Sequence, residues 1–321
     1  MDVTRRTLGS LLLAGTAARR AQAEDAIRVG TLRFGSLAWE LDVMRRHGLV
    51  QSFGLEQVEF AAGPASQVAL QAGSVDVVLQ DWLWVSRQRE AGAAWTLVPV
   101  PASLGAVMRP PGSPVRGLAE LRGRRLGIAG GPLDKSWLLL RLYASRVAGF
   151  DLDTAVEKTF GPPPLVAEQM RAGRLDAMLT YWPFAARGEA GGLEVVLPMD
   201  AVLTGLGAPR DMPMLGYVFA EPWAQRNRPA LEAFLQAAAR SRAVLATSDA
   251  EWEQIAPLTG ARDSAELDRL RAWYRRGLPG TWNDAAHHAA AHLFELFAAV
   301  GGADLVGPAK HLAAGTFWPA S

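Results

Sequence analysis

The sequence predicts an α/β protein of two similar lobes with a ligand cleft between them. Short apolar strands alternate with helical segments along residues 27–220, a pattern typical of βαβ units and a mainly parallel sheet. The segments 69–79 and 169–179 also repeat one another, because each has a helix closed by glycine, a turn, and an aspartate heading an apolar strand. Two such lobes joined by two crossings place a ligand beyond the carboxyl ends of the strands.

Length and composition narrow the possible functions. The chain has 321 residues, 33 Lys+Arg against 32 Asp+Glu, and no cysteine. At about 150 residues per domain, this length predicts two domains. The absence of cysteine excludes disulfides, Cys-ligated metals and a thiol nucleophile. The formal net charge of +1, with scattered arginines, argues against a nucleic-acid-binding protein.

The first 23 residues are predicted to be an export signal that is removed. Arginines at 5–6 precede an apolar run at 8–18, and residues 21–23 (Ala-Gln-Ala) have the small side chains of a cleavage site. A run of about ten residues is too short to span a bilayer, which needs about 20. The alternative, an N-terminal helix of the mature fold, lacks a 3.6-residue period. The paired arginines resemble a twin-arginine signal, so residues 24–321 are expected to be exported, with no further stretch long enough to span a membrane.

The predicted elements follow from hydrophobic period and from glycine and proline positions. In the first part we expect strands at 27–32, 57–61, 75–80 and 96–100, and helices at 37–47, 66–71 and 84–90. The breaker-rich residues 109–114 predict a linker, and residues 198–213 predict a second loose stretch. Between and after these we expect strands at 125–129, 157–160, 176–180, 193–197 and 215–220, and helices at 118–121, 135–148 and 163–172. The last part is predicted to be helical at 229–246, 249–255, 265–275 and 284–300.

Four segments carry a resemblance to a known family. They lie at 30–36, 62–76, 118–128 and 173–184. In this order and spacing they resemble periplasmic solute-binding proteins of the nitrate/sulfonate/taurine (NitT/TauT) type of ABC importers.

The resemblance implies a fold, partners and a location. The fold is a type II periplasmic-binding-protein-like α/β fold with parallel-rich sheets. Lobe 1 is expected at 24–105 and 212–321, and lobe 2 at 106–211. The implied partners are a small-molecule ligand and the permease and ATPase subunits of an importer. The protein itself is expected to be monomeric and periplasmic, without cofactor, metal or catalytic residues. No membrane embedding is expected.

Ten residues near the ends of predicted strands are candidates for ligand contact. They are Phe34, Ser36, Trp39, Asp81, Trp82, Gly130, Gly131, Lys135, Tyr181 and Trp182. The aromatic members favour a planar or apolar ligand, or a cation over a ring face. Helix N-termini at these positions favour anionic or polar groups.

Each candidate also has a simpler interpretation. Ser36 and Asp81 can cap helices, the tryptophans can pack in the core as is expected of Trp84, and the two glycines can form a tight turn. The chain also departs from the family pattern, because Trp182 stands where related proteins often carry a carboxylate. With no converging arginine cluster, a sulfonate or nitrate ligand is less well supported than the family resemblance implies.

One pattern is suggestive of a metal site. His288 and His292 are four residues apart on a predicted helix, with His287 and Glu295 nearby. Because no second group of ligands is visible, a solvated helix face is the preferred interpretation and no metal is predicted.

Two other functions remain open. The chain can be a periplasmic accessory protein that binds a partner enzyme on the same scaffold. It can also be an enzyme of this fold, similar to thiamine-pyrimidine synthases or chorismate dehydratases. The first of these have a Cys-rich pattern that is absent here, and the export signal argues against both. The only candidates for a catalytic acid or base in the sequence are Asp81 and Glu40.

Overall fold

A computed structural model describes residues 26–33, 35–278, 280 and 282–319, so the predicted export signal and Phe34 lie outside the described residues. The strands are β1 Ala26–Leu32, β2 Gly54–Phe60, β3 Val77–Asp81, β4 Trp95–Val100, β5 Gly105–Arg109, β6 Arg125–Ala129, β7 Glu157–Gly161, β8 Ala177–Tyr181, β9 Glu194–Pro198 and β10 Leu215–Ala220. The helices are α1 Leu37–Arg46, α2 Gly63–Gln71, α3 Trp82–Glu90, α4 Lys135–Ala148, α5 Leu152–Ala155, α6 Pro163–Arg171, α7 Trp182–Ala190, α8 Met199–Gly205, α9 Glu221–Arg226, α10 Arg228–Thr247, α11 Asp249–Thr259, α12 Ser264–Gly277 and α13 Asp284–Val306. A 3-10 turn covers Ala119–Leu121.

The chain divides into two compact units. Among the described residues, the first comprises those up to Val78 together with Pro222–Ala243, and the second comprises Leu79–Glu221 and those from Val244 onward. Both predicted lobe boundaries, near residues 105 and 211, fall inside the second unit. The division into lobes therefore stays a prediction.

The first unit is organised around a parallel ladder. Strand β1 pairs in parallel with β2 and with the start of β3. Its alternate side chains Ile27 and Val29 are buried at 1% and 0% exposure, as expected for a strand packed beneath helices. Helix α1 buries Leu41 and Met44, three residues apart on one face. Apolar burial on strand and helix together supplies the core of this unit.

The second unit contains a complete five-stranded sheet with the order β7-β6-β8-β5-β9. Strand β6 pairs in parallel with β7 and β8, while β5 runs antiparallel to β8 and β9. In the same unit β4 and β10 form an antiparallel pair. Parallel and antiparallel ladders therefore coexist, and the predicted α/β class is confirmed.

The sequence repeat has a structural counterpart. Asp76 accepts hydrogen bonds from Arg28 Nη2 at 2.7 Å and Nε at 3.0 Å, and Asp176 accepts the same two bonds from Arg125 at 2.7 and 3.2 Å. Each aspartate N–H also donates to the carbonyl of its arginine, at 2.8 and 2.9 Å. In both repeats the aspartate thus joins the starts of two parallel strands.

The Asp176 ion pair predicts a pH-dependent stability. Its hydrogen bond from Arg125 holds the pKa of Asp176 below its usual range. Because the pKa of Asp176 is lower in the folded state, the ion pair stabilises the protein above about pH 4. This contribution is lost as pH falls through the pKa of the folded state. We expect Asp176→Asn to lower the free energy of unfolding by at most about 1 kcal/mol at pH 7, because the pair is half-exposed. Urea unfolding of the unaltered chain and of Asp176→Asn at pH 7 and pH 3 measures the difference in unfolding free energy. A difference of equal size at both pH values would contradict the prediction.

Several elements differ from the prediction. Strand β5 was not predicted, although Ala106, Val107 and Met108 are fully buried. The predicted loose stretch at 198–213 is wrong in its first half, because α8 occupies Met199–Gly205. Helices α5 and α7 were also missed, whereas α9 falls in the stretch from Pro222 onward that was predicted to be mostly helical. These elements are four to nine residues long, too short for a helical or strand period to be distinguished.

We expected no further apolar stretch long enough to span a membrane, and this expectation is corrected. Helix α13 has 23 residues and is long and apolar enough to cross a membrane by length and composition. Its Ala290, Leu293, Phe294 and Phe297 are nonetheless fully buried within the protein. A core helix of a soluble protein meets the same criterion, so the length alone carries little weight.

Candidate functional site

Three strand-to-helix junctions of the second unit carry a polar cluster, which we define as Asp81, Asp134, Lys135 and Tyr181. Asp81 ends β3 and caps α3, its Oδ1 accepting a hydrogen bond from the Trp84 N–H at 2.8 Å. Asp134 caps α4, where Oδ1 accepts from the Ser136 N–H at 2.9 Å. Tyr181 ends β8 directly before α7. The capping role predicted for Asp81 is confirmed, and the cluster lies where α/β proteins bind ligands.

Tyr181 and Asp134 are joined directly. The Tyr181 hydroxyl donates to Asp134 Oδ2 at 2.8 Å, and the Lys135 ammonium lies 5.5 Å from the centre of the Tyr181 ring. Burial, with the Asp134 carboxylate second, raises the pKa of Tyr181 well above its usual range. The tyrosine is therefore a neutral hydrogen-bond donor at every physiological pH, and its proton is committed to Asp134.

The turn before α4 lets the Tyr181 hydroxyl and the Asp134 carboxylate meet only because residue 130 is glycine. Gly130 has φ +99°, and a methyl carbon added there would lie 2.7 Å from the Tyr181 hydroxyl oxygen and 2.9 Å from Asp134 Oδ2. Its N–H donates to the Gly161 carbonyl at 2.9 Å, which ties the turn to the end of β7. An equivalent methyl on Gly131 would contact nothing within 4 Å. The two glycines thus differ: Gly130 shapes the cluster, while Gly131 faces open space.

The cluster keeps two groups uncommitted. In the part of the chain that the structure describes, no residue donates a hydrogen bond to Asp81 Oδ2, and Lys135 forms neither a hydrogen bond nor an ion pair. Burial raises the pKa of Asp81, while the charge of Lys135 opposes that rise. The arrangement therefore offers one carboxylate oxygen and one ammonium group to an incoming molecule.

Polar atoms without partners lie beside the same junctions. Within the described ranges, Trp82 Nε1, Ser136 Oγ and Thr180 Oγ1 are buried and have no hydrogen-bond partner. These residues are 0, 2 and 2% exposed. Because native proteins satisfy most buried polar atoms, such atoms next to a cluster indicate unused hydrogen-bonding capacity.

The three candidate tryptophans are packed in the interior. Trp39, Trp82 and Trp182 are 3, 0 and 7% exposed. Trp82 meets Phe297 edge-on at 6.3 Å between ring centres, and Trp182 meets Tyr274 at 6.0 Å. This placement favours the core interpretation of these rings. Trp84, which was expected in the core, is buried as well.

The first junction of the chain departs from the prediction. The Ser36 hydroxyl makes no capping hydrogen bond; instead its carbonyl accepts from the N–H groups of Trp39 and Glu40 at 3.0 and 3.3 Å. Ser36 adopts helical backbone angles, which direct it into the first turn and away from a cap geometry. Glu40 is buried and pairs with Arg242 at 3.3 Å, so it is engaged as a structural ion pair. Phe34 lies outside the described residues.

A cavity of about 420 Å³ was not anticipated from the sequence. Its walls include Leu104, Gly105, Asp200, Arg210, Trp273 and Arg276. The cavity begins beside β8, because Gly105 in its wall is the register partner of Tyr181, the last residue of that strand. The Arg276 guanidinium stacks on the Trp273 ring at 3.8 Å. These side chains come from three distant segments, so no local motif could have revealed the cavity.

The histidines of α13 do not converge on a metal. His287 lies 5.1 Å from the Phe317 ring centre, and His288 Nδ1 lies 2.8 Å from the Asp284 carbonyl of its own helix. Across the described residues, no three His, Cys, Asp or Glu side chains are placed to hold a metal ion.

The fold has close counterparts among known proteins. No family model matches the chain. A protein of Escherichia coli (strain K12) described as an aliphatic sulfonates-binding protein is 26% identical over 234 residues, which cover 70% of this chain and 69% of that protein. The predicted resemblance is confirmed.

Solved structures agree on the architecture. The periplasmic aliphatic sulphonate binding protein of Escherichia coli matches with a TM-score of 0.73 at 22% identity, over 92% of this chain and 93% of that one. The alkanesulfonate-binding protein of Xanthomonas axonopodis pv. citri matches with a TM-score of 0.72 at 20% identity, over 92% and 99% of the two chains. The chain therefore has a periplasmic-binding-protein-like fold, and these similar proteins are named as sulfonate-binding proteins.

Proposed function

We propose that this chain is an exported solute-binding protein that captures a small organic molecule and delivers it to an ABC permease. The observation that carries the proposal is the polar cluster at the ends of β3 and β8 and before α4, with its free carboxylate oxygen and free ammonium. One similar solved structure is described as the ligand-binding component of an ABC-type import system from Staphylococcus aureus, which supports delivery to a permease and its ATPase.

The proposal includes a two-lobed mechanism. Lobe 1, from 24–105 and 212–321, closes on lobe 2, from 106–211, and the ligand lies between the strand ends of the two lobes. The closed monomer is the form that the permease recognises, and binding involves no chemical step. The protein reaches the periplasm through a twin-arginine signal at 1–23. The word periplasmic in the name of a similar protein supports the location, and the export route rests on the sequence alone.

A thermal-unfolding screen tests the proposal. The purified full chain is heated with alkanesulfonates, taurine, nitrate, aromatic acids, pyrimidines, amines and metal ions in separate samples. A ligand at about 100 times its dissociation constant adds about 2.7 kcal/mol of stability, which is a readily measured rise in midpoint. We expect one chemical class to raise the midpoint. No rise with any class would contradict solute capture and favour the accessory protein that binds a partner enzyme.

A further inference from the structure

The charge of the polar cluster sets the ligand class that the site accepts. It holds two carboxylates, Asp81 and Asp134, against one ammonium, Lys135. The other charged group that acts on Asp81 is Arg87, whose guanidinium is already donating to the carbonyls of Asp304 and Leu305. The cluster thus holds more carboxylate than free cation, and these carboxylates already cap the N-termini of α3 and α4, which would otherwise attract an anion.

The two carboxylates are not equivalent. Asp134 is satisfied, since it accepts from the Tyr181 hydroxyl and from the N–H groups of Ser136 and Trp137. Asp81 uses one oxygen to cap α3 and keeps Oδ2 without a donor among the residues the structure describes. A carboxylate oxygen in this state is an acceptor that a charged nitrogen satisfies best.

Two buried hydroxyls belong to residues adjacent in sequence to the cluster, although side chains alternate along a strand, so Thr180 faces away from Tyr181. Ser136 follows Lys135 and Thr180 precedes Tyr181, and each is 2% exposed with an unpartnered oxygen. A hydroxyl oxygen accepts from a nitrogen donor, and an ammonium carries three such donors. A hydroxyl donates as well as accepts, so these atoms add hydrogen-bonding capacity without selecting the charge of a ligand.

Apolar surface lies next to the cluster. Leu133, adjacent to Asp134, is 46% exposed, and Leu165 is 47% exposed. A methyl carbon added at Gly161 would lie 3.1 Å from Leu165, and the Gly161 carbonyl accepts from Gly130. Both leucines therefore flank the turn that shapes the cluster, where they can cover an alkyl or ring portion of a ligand.

We infer that the solute presents a positively charged, hydrogen-bond-donating nitrogen, an amine or amidine, to Asp81, with an apolar portion beside it. This inference rests on the proposed function and names the ligand class of the same site. It separates this chain from the similar proteins whose names specify sulfonates, because a sulfonate has acceptors only and would face two carboxylates.

Calorimetric titration with matched probes tests the inference. The full chain is titrated with primary alkylamines, alkylamidines and alkanesulfonates of two to eight carbons. We expect amines or amidines to bind at least tenfold more tightly than the sulfonates of equal length. Asp81→Asn should weaken amine binding at least tenfold, while α3 keeps its cap because asparagine caps helices as well as aspartate. Lys135→Gln removes a competing cation and should strengthen amine binding several-fold.

The control is a second helix cap. Asp151 caps α5, its Oδ1 accepting from the Asp153 N–H at 2.9 Å, and it is exposed and outside the cluster. Asp151→Asn should bind the amine as the unaltered chain does. Tighter binding of sulfonates that is lost in Lys135→Gln, or amine binding unchanged in Asp81→Asn, would overturn the inference and leave the proposed function standing. No binding of any probe, together with no response in the thermal screen, would overturn the proposed function as well.

Discussion

Gly130→Ala should lower the free energy of unfolding by about 3 kcal/mol and weaken ligand binding at the cluster. A non-glycine residue in the left-handed region costs about 1–2 kcal/mol. The added methyl would also lie 2.7 Å from the Tyr181 hydroxyl and 2.9 Å from Asp134 Oδ2, which forces their hydrogen bond apart. Losing a hydrogen bond to a charged group costs about 1.5–3 kcal/mol. Denaturant unfolding, monitored by tryptophan fluorescence, measures the total loss of unfolding free energy.

Gly112 supplies the matched control for Gly130. It also has a positive φ, +75°, but a methyl added there would contact nothing within 4 Å. Gly112→Ala should therefore show only the backbone cost, about 1–2 kcal/mol. Equal destabilisation of the two variants would mean that residue 130 does not shape the cluster.

Glu266→Ala should destabilise the second unit by about 3–5 kcal/mol, because it leaves a buried guanidinium without its charge partner. Glu266 is 1% exposed and pairs with Arg187 Nε at 2.8 Å and with Arg262 Nε at 2.7 Å. Burial lowers the pKa of Arg187, and the carboxylate of Glu266 is what keeps that cation stable. The pair joins α12 to α7, which begins at the residue after Tyr181.

An exposed ion pair provides the comparison. Glu168 pairs with Arg171 on α6, and both side chains are about two-thirds exposed. Glu168→Ala should change the free energy of unfolding by less than about 0.5 kcal/mol, since exposed pairs contribute little. If the two glutamate variants unfold at the same denaturant concentration, the buried pair does not hold α12 on α7.

The sequence was most informative where a pattern extends over many residues or recurs. The repeat around Asp76 and Asp176 predicted two equivalent strand starts, and the structure shows the same arginine pairing at both. Two roles were predicted for Asp81, a helix cap and a ligand contact, and the structure shows the first of them. Helix α4 was predicted with the bounds the structure has, whereas α13 was predicted to end at residue 300 and continues to Val306.

Local patterns were least informative about burial and distant contacts. Nothing in the sequence beside Trp82 distinguishes a ring that lines a cleft from one that packs on Phe297, a residue of the distant α13. The role of Gly130 depends on a tyrosine 51 positions away, which only the parallel pairing of β6 with β8 brings near. Asp134, the partner of that tyrosine, was missed for the same reason, although its place before a helix was a signal for a cap.

A crystal structure of the full chain with its bound solute tests the central claim most directly. We expect ligand density in contact with Asp81, with the Gly130 turn at its edge. Density instead in the cavity walled by Arg210 and Arg276, with the polar cluster untouched, would contradict it.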